Sequence, residues 1–321
     1  MENNYDVVAL GELLIDFTEN GQSNQGNPIL EANPGGAPCN VLAMLQKYGH
    51  KTAFIGKVGK DNFGEYLRDT VASLGIETSG LCMDDVIPTT LAFVHTKPDG
   101  DRSFSFYRNP GADVMLREEE VDEQLIAGTK IFHFGTLSMT HPSCEAATRK
   151  AIDLAKANQK LISFDPNLRP PLWSDLAIAK EKMAYGMSKC DILKISDDEI
   201  TFFTGCTDVL EGAKEIQKMY GIPLVCATLG KDGSYGLYGG EVVEAAPFVN
   251  PNTIETTGAG DTFMAGVLHG ILTHGLEGLT KDCLQEILTE ANAAASIITT
   301  RRGALKVMPS VEEIQALLHQ S

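Results

Sequence analysis

Thr256-Thr257-Gly258-Ala259-Gly260-Asp261 leads into a helix-period run from Thr262 to Leu272. The small residues at 258–260 let a backbone approach a ligand closely. The N–H groups of the helix start then point at that ligand, with the helix dipole behind them. A phosphate or a developing oxyanion is the natural guest. Asp261 is the odd member, because a carboxylate repels a bound anion. Two readings of it stand: a helix N-cap, common for Asp, or a general base that takes a hydroxyl proton as that oxygen attacks phosphorus. Other nucleotide signatures are missing: the chain has no G-x-x-x-x-G-K-[ST], and its first apolar run is followed by Gly11-Glu12-Leu13-Leu14 rather than G-x-G-x-x-G.

Upstream of this loop, short β-rich runs alternate with helix-period stretches. Val7 to Ile15 reads as a buried first strand, Thr52 to Val58 as a second, and Lys130 to Leu137, Leu161 to Asp165, Asp191 to Ile195 and Leu224 to Leu229 as later ones. Asn40 to Tyr48, Phe63 to Leu74, Cys144 to Asn158 and Leu210 to Tyr220 read as helices. The rhythm predicts an α/β fold with a mainly parallel sheet covered on both faces. Two regions break it. Phe17 to Asn33 is polar and contains glycine. Thr89 to Tyr107 alternates apolar and polar residues around Pro98-Asp99-Gly100-Asp101, a hairpin signature. A hairpin inserted in such a chain predicts a small β lid, about 17–35 and 88–110, over the carboxyl edge of the sheet where ligands bind. The chain, 1–321, reads as one domain.

The formal net charge of −17 argues against nucleic acid and anionic membranes as partners. Any anionic ligand then needs local cations. Seven scattered cysteines without a C-x-x-C pair read as free thiols in a reducing compartment. No apolar run approaches the roughly 20 residues of a membrane span, and the start of the chain is too polar for a signal segment. The expectation is a cytoplasmic protein.

Two segments together resemble the ribokinase-like (PfkB) sugar kinases. One is Gly35-Gly36-Ala37-Pro38-Cys39-Asn40 followed by Gly56-x-Val58-Gly59-x-Asp61-x-Phe63-Gly64; the other is Glu255 to Gly266. The resemblance runs from about Val7 to Val311. Phe106 to Asp113, Asp165 to Trp173 and Lys194 to Glu199 are similar to stretches of fructokinases. What this implies is a ribokinase-like three-layer α/β/α sandwich with a β-sheet lid, ATP and Mg²⁺ as co-substrate and metal, and a homodimer joined through the lids.

The resemblance also implies roles for particular residues. Asp261 matches the catalytic base, and Gly258, Ala259 and Gly260 with it match the anion hole. Asp16, Gly35, Gly36 and Asn40 match the sugar site; Phe106 and Arg108 on the lid and Arg169 after Asp-Pro-Asn match positions that touch sugar or phosphate. Lys194, Thr228, Gly230, Gly233 and Asn292 match the ATP site. Glu199 matches an acidic residue that orders water around Mg²⁺, although Ser196 stands where the family's N-x-x-E has Asn. A K⁺ site would draw on Glu255, Thr257, Ile298 and Gly303, with Glu255 in place of the usual Asp.

The leading expectation is a fructokinase making fructose 6-phosphate. A kinase for ribose or 2-keto-3-deoxygluconate is a second enzyme reading, and the two arginines would suit the carboxylate of the latter. A sensor without catalysis would be expected to have lost the base or the anion hole; a Rossmann oxidoreductase lacks its glycine fingerprint. Asp261 is expected to be ionised, with a pKa near the ordinary value of about 4.

Overall fold

The computed structural model describes residues 4–96 and 102–320. Its strands are β1 (Tyr5–Leu10), β2 (Leu14–Gln22), β3 (Pro28–Gly35), β4 (Thr52–Gly59), β5 (Glu77–Asp84), β6 (Leu91–Thr96), β7 (Arg102–Tyr107), β8 (Thr129–Gly135), β9 (Leu161–Asp165), β10 (Ile192–Ser196), β11 (Leu224–Thr228), β12 (Ser234–Tyr238) and β13 (Glu241–Ala245). Its helices are α1 (Ala37–Lys47), α2 (Asn62–Ser73), α3 (Glu123–Ala127), α4 (Pro142–Ala157), α5 (Leu176–Met187), α6 (Asp197–Thr204), α7 (Val209–Tyr220), α8 (Ala259–His274), α9 (Lys281–Ile298) and α10 (Val311–Leu318).

Nine strands form one sheet in the order β13-β12-β11-β10-β9-β8-β1-β4-β5. Pairing is parallel from β11 through to β5, and antiparallel for β11–β12 and β12–β13. Side chains on a strand alternate between faces, and here both faces are buried. Val7 and Ala9 join a core formed with α1, α8 and α9, while Val8 and Leu10 join one formed with α4, α5 and α7. That explains why β1 reads as an unbroken apolar run. The result is the expected three-layer α/β/α arrangement.

Four strands form a second sheet, β3-β2-β6-β7, built from the two stretches that broke the rhythm. This is the expected lid. The turn at Pro98 to Asp101 lies outside the described residues.

One sequence expectation fails here. Val7 to Ile15 is not a single strand. The last main-sheet bond of β1 is Gly11 N–H to the Ile55 carbonyl, 3.2 Å, after which the chain turns and β2 begins in the lid sheet. Gly11 is needed at this turn, because a Cβ there would lie 2.5 Å from Pro38 Cγ. Asp16 therefore belongs to the lid and does not end a central strand.

Candidate active site

The carboxyl ends of β1, β9, β10 and β11, the inner face of the lid and the start of α8 surround a cleft of about 830 Å³. Asp16, Gly35, Gly36, Asn40, Phe106, Arg108, Arg169, Lys194, Glu199, Thr228, Gly230, Glu255, Thr257, Gly303 and the whole 258–261 loop line it. Residues separated by up to 287 positions in sequence are thus brought together, Asp16 to Gly303. Gly233, Asn292 and Ile298 are not on its wall. Asn292 donates to the carbonyls of Ala245 and Ala246, and Gly233 packs against the same segment, where a Cβ would meet Ala245 O at 2.3 Å. Both therefore hold the stretch after β13 and do not face the cleft. Ile298 is fully buried beneath Gly258.

The structure removes one of the two readings of Asp261, the helix cap. Helix α8 starts at Ala259, three residues earlier than the periodicity predicts, and its cap is Gly258 in the left-handed conformation (φ 78°). Asp261 is the third helical residue and does not cap the helix. Glycine is required at 258 on a second count, since a Cβ would come within 2.7 Å of the Ala304 methyl. Asp261 Oδ2 accepts a 2.8 Å hydrogen bond from Asn40 Nδ2. Among the described residues no hydrogen bond reaches its Oδ1, which leaves that oxygen for a ligand.

The expected pKa near 4 also needs correction. Burial pushes Asp261 up to about 6; the Asn40 bond opposes this, nearby Asp165 adds to it, and Lys194 and Arg169 hold it down. The group remains mostly ionised at neutral pH. Asp16 is pushed up to about 7, by burial first, with Arg169 lowering it and Glu255 raising it. A Cβ on Gly35 would lie 2.5 Å from Asp16 Oδ2, so only glycine leaves this carboxylate in place.

Lys194 lies beside the 258–261 loop. Its ammonium is 3.0 Å from Asp165 Oδ2 and 3.0 Å from where a Gly260 Cβ would sit. Burial disfavours its charge, but Asp165 and Glu199 outweigh that and keep it protonated. Glu199 accepts from Ser196 N–H (2.9 Å) and Leu168 N–H (2.7 Å), and Ser196 Oγ accepts from Glu199 N–H in return. Ser196 thus does the work of a capping residue for α6, and Glu199 fixes the loop that carries Arg169. Glu255 Oε1 accepts from Gly303 N–H at 2.9 Å, tying the loop after α9 to the stretch before α8.

Arg108 lines the cleft, but its guanidinium is already engaged by protein: Nε donates to Asp113 Oδ2 (2.8 Å), Nη1 to Thr140 Oγ1 and Nη2 to the Leu137 carbonyl (both 2.9 Å). It is therefore poorly disposed to recruit a carboxylate ligand. Arg169 is exposed and makes one weak bond to its neighbour's carbonyl.

Two carboxylates of the site carried no sequence assignment. Glu12 is 5% exposed and accepts the Ala37 N–H at 2.8 Å, and burial pushes it up to about 7. Its only sequence signal was a charge interrupting an apolar run. Asp165 stood inside the Asp-Pro-Asn motif, and its role as the Lys194 partner needed the β9–β10 neighbourhood to be known. Among the described residues the buried Oδ1 of Asn40 has no hydrogen-bond partner. A buried acceptor without a donor is costly unless a ligand supplies one.

Comparison with known proteins agrees with this geometry. The model of the pfkB family carbohydrate kinases matches residues 4–311. The chain is 39% identical to a probable fructokinase-7 of Arabidopsis thaliana, over 97% of this chain and 92% of that one. It is similar to the crystal structure of a fructokinase with bound ATP from Xylella fastidiosa, with a TM-score of 0.89, 27% identity and 98% of each chain covered. It is also similar to a double-mutant fructokinase from Vibrio cholerae O395 with fructose, ADP and potassium ion bound, with a TM-score of 0.88, 26% identity, and 99% and 100% of the two chains covered.

Proposed function

Because the chain belongs to the pfkB family of carbohydrate kinases, we propose that the cleft transfers the γ-phosphate of ATP to the 6-hydroxyl of D-fructose, giving D-fructose 6-phosphate and ADP. The observation that carries this reading is Asp261, an oriented carboxylate in the first turn of α8, facing a cleft roofed by Asp16 of the lid.

Asp16 accepts from sugar hydroxyls, as a carboxylate can from two at once. The open Oδ1 of Asn40 accepts another. Asn40 Nδ2 holds one oxygen of Asp261, and the other takes the proton of the attacking hydroxyl. A positioned base of this kind contributes roughly 10²–10⁴ in rate. Charge developing on the phosphoryl oxygens meets the N–H groups of Gly260 and Asp261, which have no carbonyl four residues back within the helix. Lys194 beside the loop and Arg169 at the rim add positive charge in an otherwise acidic molecule. Thr228 and Gly230 at the end of β11 receive the nucleotide.

Mg²⁺ would supply charge neutralisation on the phosphates. Among the described residues no group of three or more His, Cys, Asp or Glu could hold a metal by itself. That suits a Mg²⁺ carried mainly by phosphate oxygens and water, with Glu199 ordering water from behind. K⁺ would fit beside Glu255, Thr257 and Gly303, with backbone carbonyls as its main ligands. The Glu255–Gly303 bond makes this carboxylate a tether for the loop as much as a ligand.

We place the protein in the cytoplasm as a homodimer. The thiols of all seven cysteines are free, and no described helix is long and apolar enough to cross a membrane. Ile29, Leu30 and Tyr107 expose apolar surface on the lid, which a second lid would cover. The sugar-acid reading is weakened by the Arg108–Asp113 pair, and the sensor reading by an intact base and loop. A coupled assay of ADP release over a panel of sugars tests the proposal; an enzyme that turns over none of them would be a sensor instead.

A further inference from the structure

The β6–β7 hairpin leaves the body of the protein at Thr89–Thr90 and returns at Arg108. One buried carboxylate fastens both roots. Thr90 Oγ1 donates to Asp113 Oδ1 at 2.5 Å, and Arg108 Nε donates to Asp113 Oδ2 at 2.8 Å. Asp113 is 5% exposed and Thr90 1%. Arg108 carries the tie onward to the Leu137 carbonyl and Thr140, just past the end of β8. The junction is tightly built: a Cβ on Gly111 would lie 1.8 Å from Thr90 Oγ1 and 3.0 Å from Asp113 Oδ1. The same root holds the other half of the lid, because Ile15 N–H, next to Asp16, donates to the Thr90 carbonyl at 3.2 Å.

We infer that Asp113 is a positioning residue for the sugar half of the cleft, setting how far the lid's contacts, Asp16 and Phe106, stand from Asp261. This rests on reading the cleft as that of a sugar kinase. A buried ion pair is weak evidence for stability, since apolar residues of like volume often hold a core as well. What such a pair adds is direction: a carboxylate engaged on both oxygens fixes the angle between the two strands that it joins. The nucleotide end, at Thr228 and Gly230, belongs to a different part of the sheet and, among the described residues, shares no bond with this root.

The test is Asp113→Asn, which keeps the shape and an acceptor for Thr90 but removes the charge. The expected result is a sugar KM raised by about tenfold or more, the scale of one charge-assisted bond, with the ATP KM and kcat within about threefold of the parent. Thr90→Val removes one of the two ties with little change of shape and is expected to move the sugar KM the same way by a smaller factor. It decides alone if Asp113→Asn is not recovered folded. A lowered melting temperature with both KM values unchanged would mean a purely structural role and overturn the inference, as would equal rises in both. The measurements use whichever panel sugar the parent phosphorylates best. A wrong substrate then shows in the parent's panel, and a wrong role for Asp113 shows only as a missing split between the two KM values.

Discussion

Asn40 Nδ2 lies 2.8 Å from Asp261 Oδ2, joining the first helix of the chain to the eighth across 221 positions. The bond fixes which oxygen of Asp261 is held and which is left to a substrate. It also stabilises the charged form of a carboxylate that burial disfavours. The start of α1 and the start of α8 are thus held together by one side-chain bond.

Replacing Asp261 by Asn separates chemistry from folding. Turnover should fall by roughly 10²–10⁴, while ATP binding, followed by thermal shift or calorimetry, persists. The same substitution should stabilise the protein. The folded pKa of about 6 lies above the unfolded value, so stability tied to Asp261 is present below the unfolded pKa and is lost as pH rises through about 6. At about pH 7.5 the variant should melt a few degrees above the parent, and the gap should close toward about pH 4. A variant as active as the parent would show that the base lies elsewhere.

The raised pKa also sets the acid limb of the activity. A base must be ionised to accept a proton, so kcat/KM for the sugar should decline as pH falls through about 6, well above the usual carboxylate range. Asp16, pushed up to about 7, titrates nearby, so the limb is a property of the coupled site. An acid limb near 4 in a pH–rate profile would contradict the described burial of both groups.

Gly35→Ala tests the sugar end alone. The new methyl would lie 2.5 Å from Asp16 Oδ2 and must displace it. The sugar KM should rise by about tenfold or more, with the ATP KM little changed, because hydroxyl bonds to a charged acceptor are worth roughly 1.5–3 kcal/mol. Initial-rate kinetics with each substrate varied in turn would show it. An unchanged sugar KM would remove Asp16 from the sugar site.

Much of this was legible in the sequence, and the gaps have physical causes. The parallel sheet followed from apolar runs at the right spacing, and the lid from a period-2 stretch around a turn. The break between β1 and β2 was hidden because Val7 to Leu10 before it and Leu13 to Ile15 after it are all buried. Apolar patterning reports burial, not the sheet to which a strand belongs. The start of α8 was misplaced by three residues because Gly258, Ala259 and Gly260 carry no amphipathic signal, and that shift alone turned Asp261 from a cap into a residue of the first turn. Arg108 was recognisable as a lid residue, but its engagement by Asp113 and Thr140 depends on contacts that periodicity does not encode.

The most direct measurement is kcat/KM with ATP and Mg²⁺ over D-fructose, ribose and 2-keto-3-deoxygluconate, with and without K⁺. With Arg108 engaged by Asp113 and the lid offering the carboxylate of Asp16, D-fructose should be the best substrate and the sugar acid a poor one. A kcat/KM for 2-keto-3-deoxygluconate or ribose well above that for fructose would contradict the account.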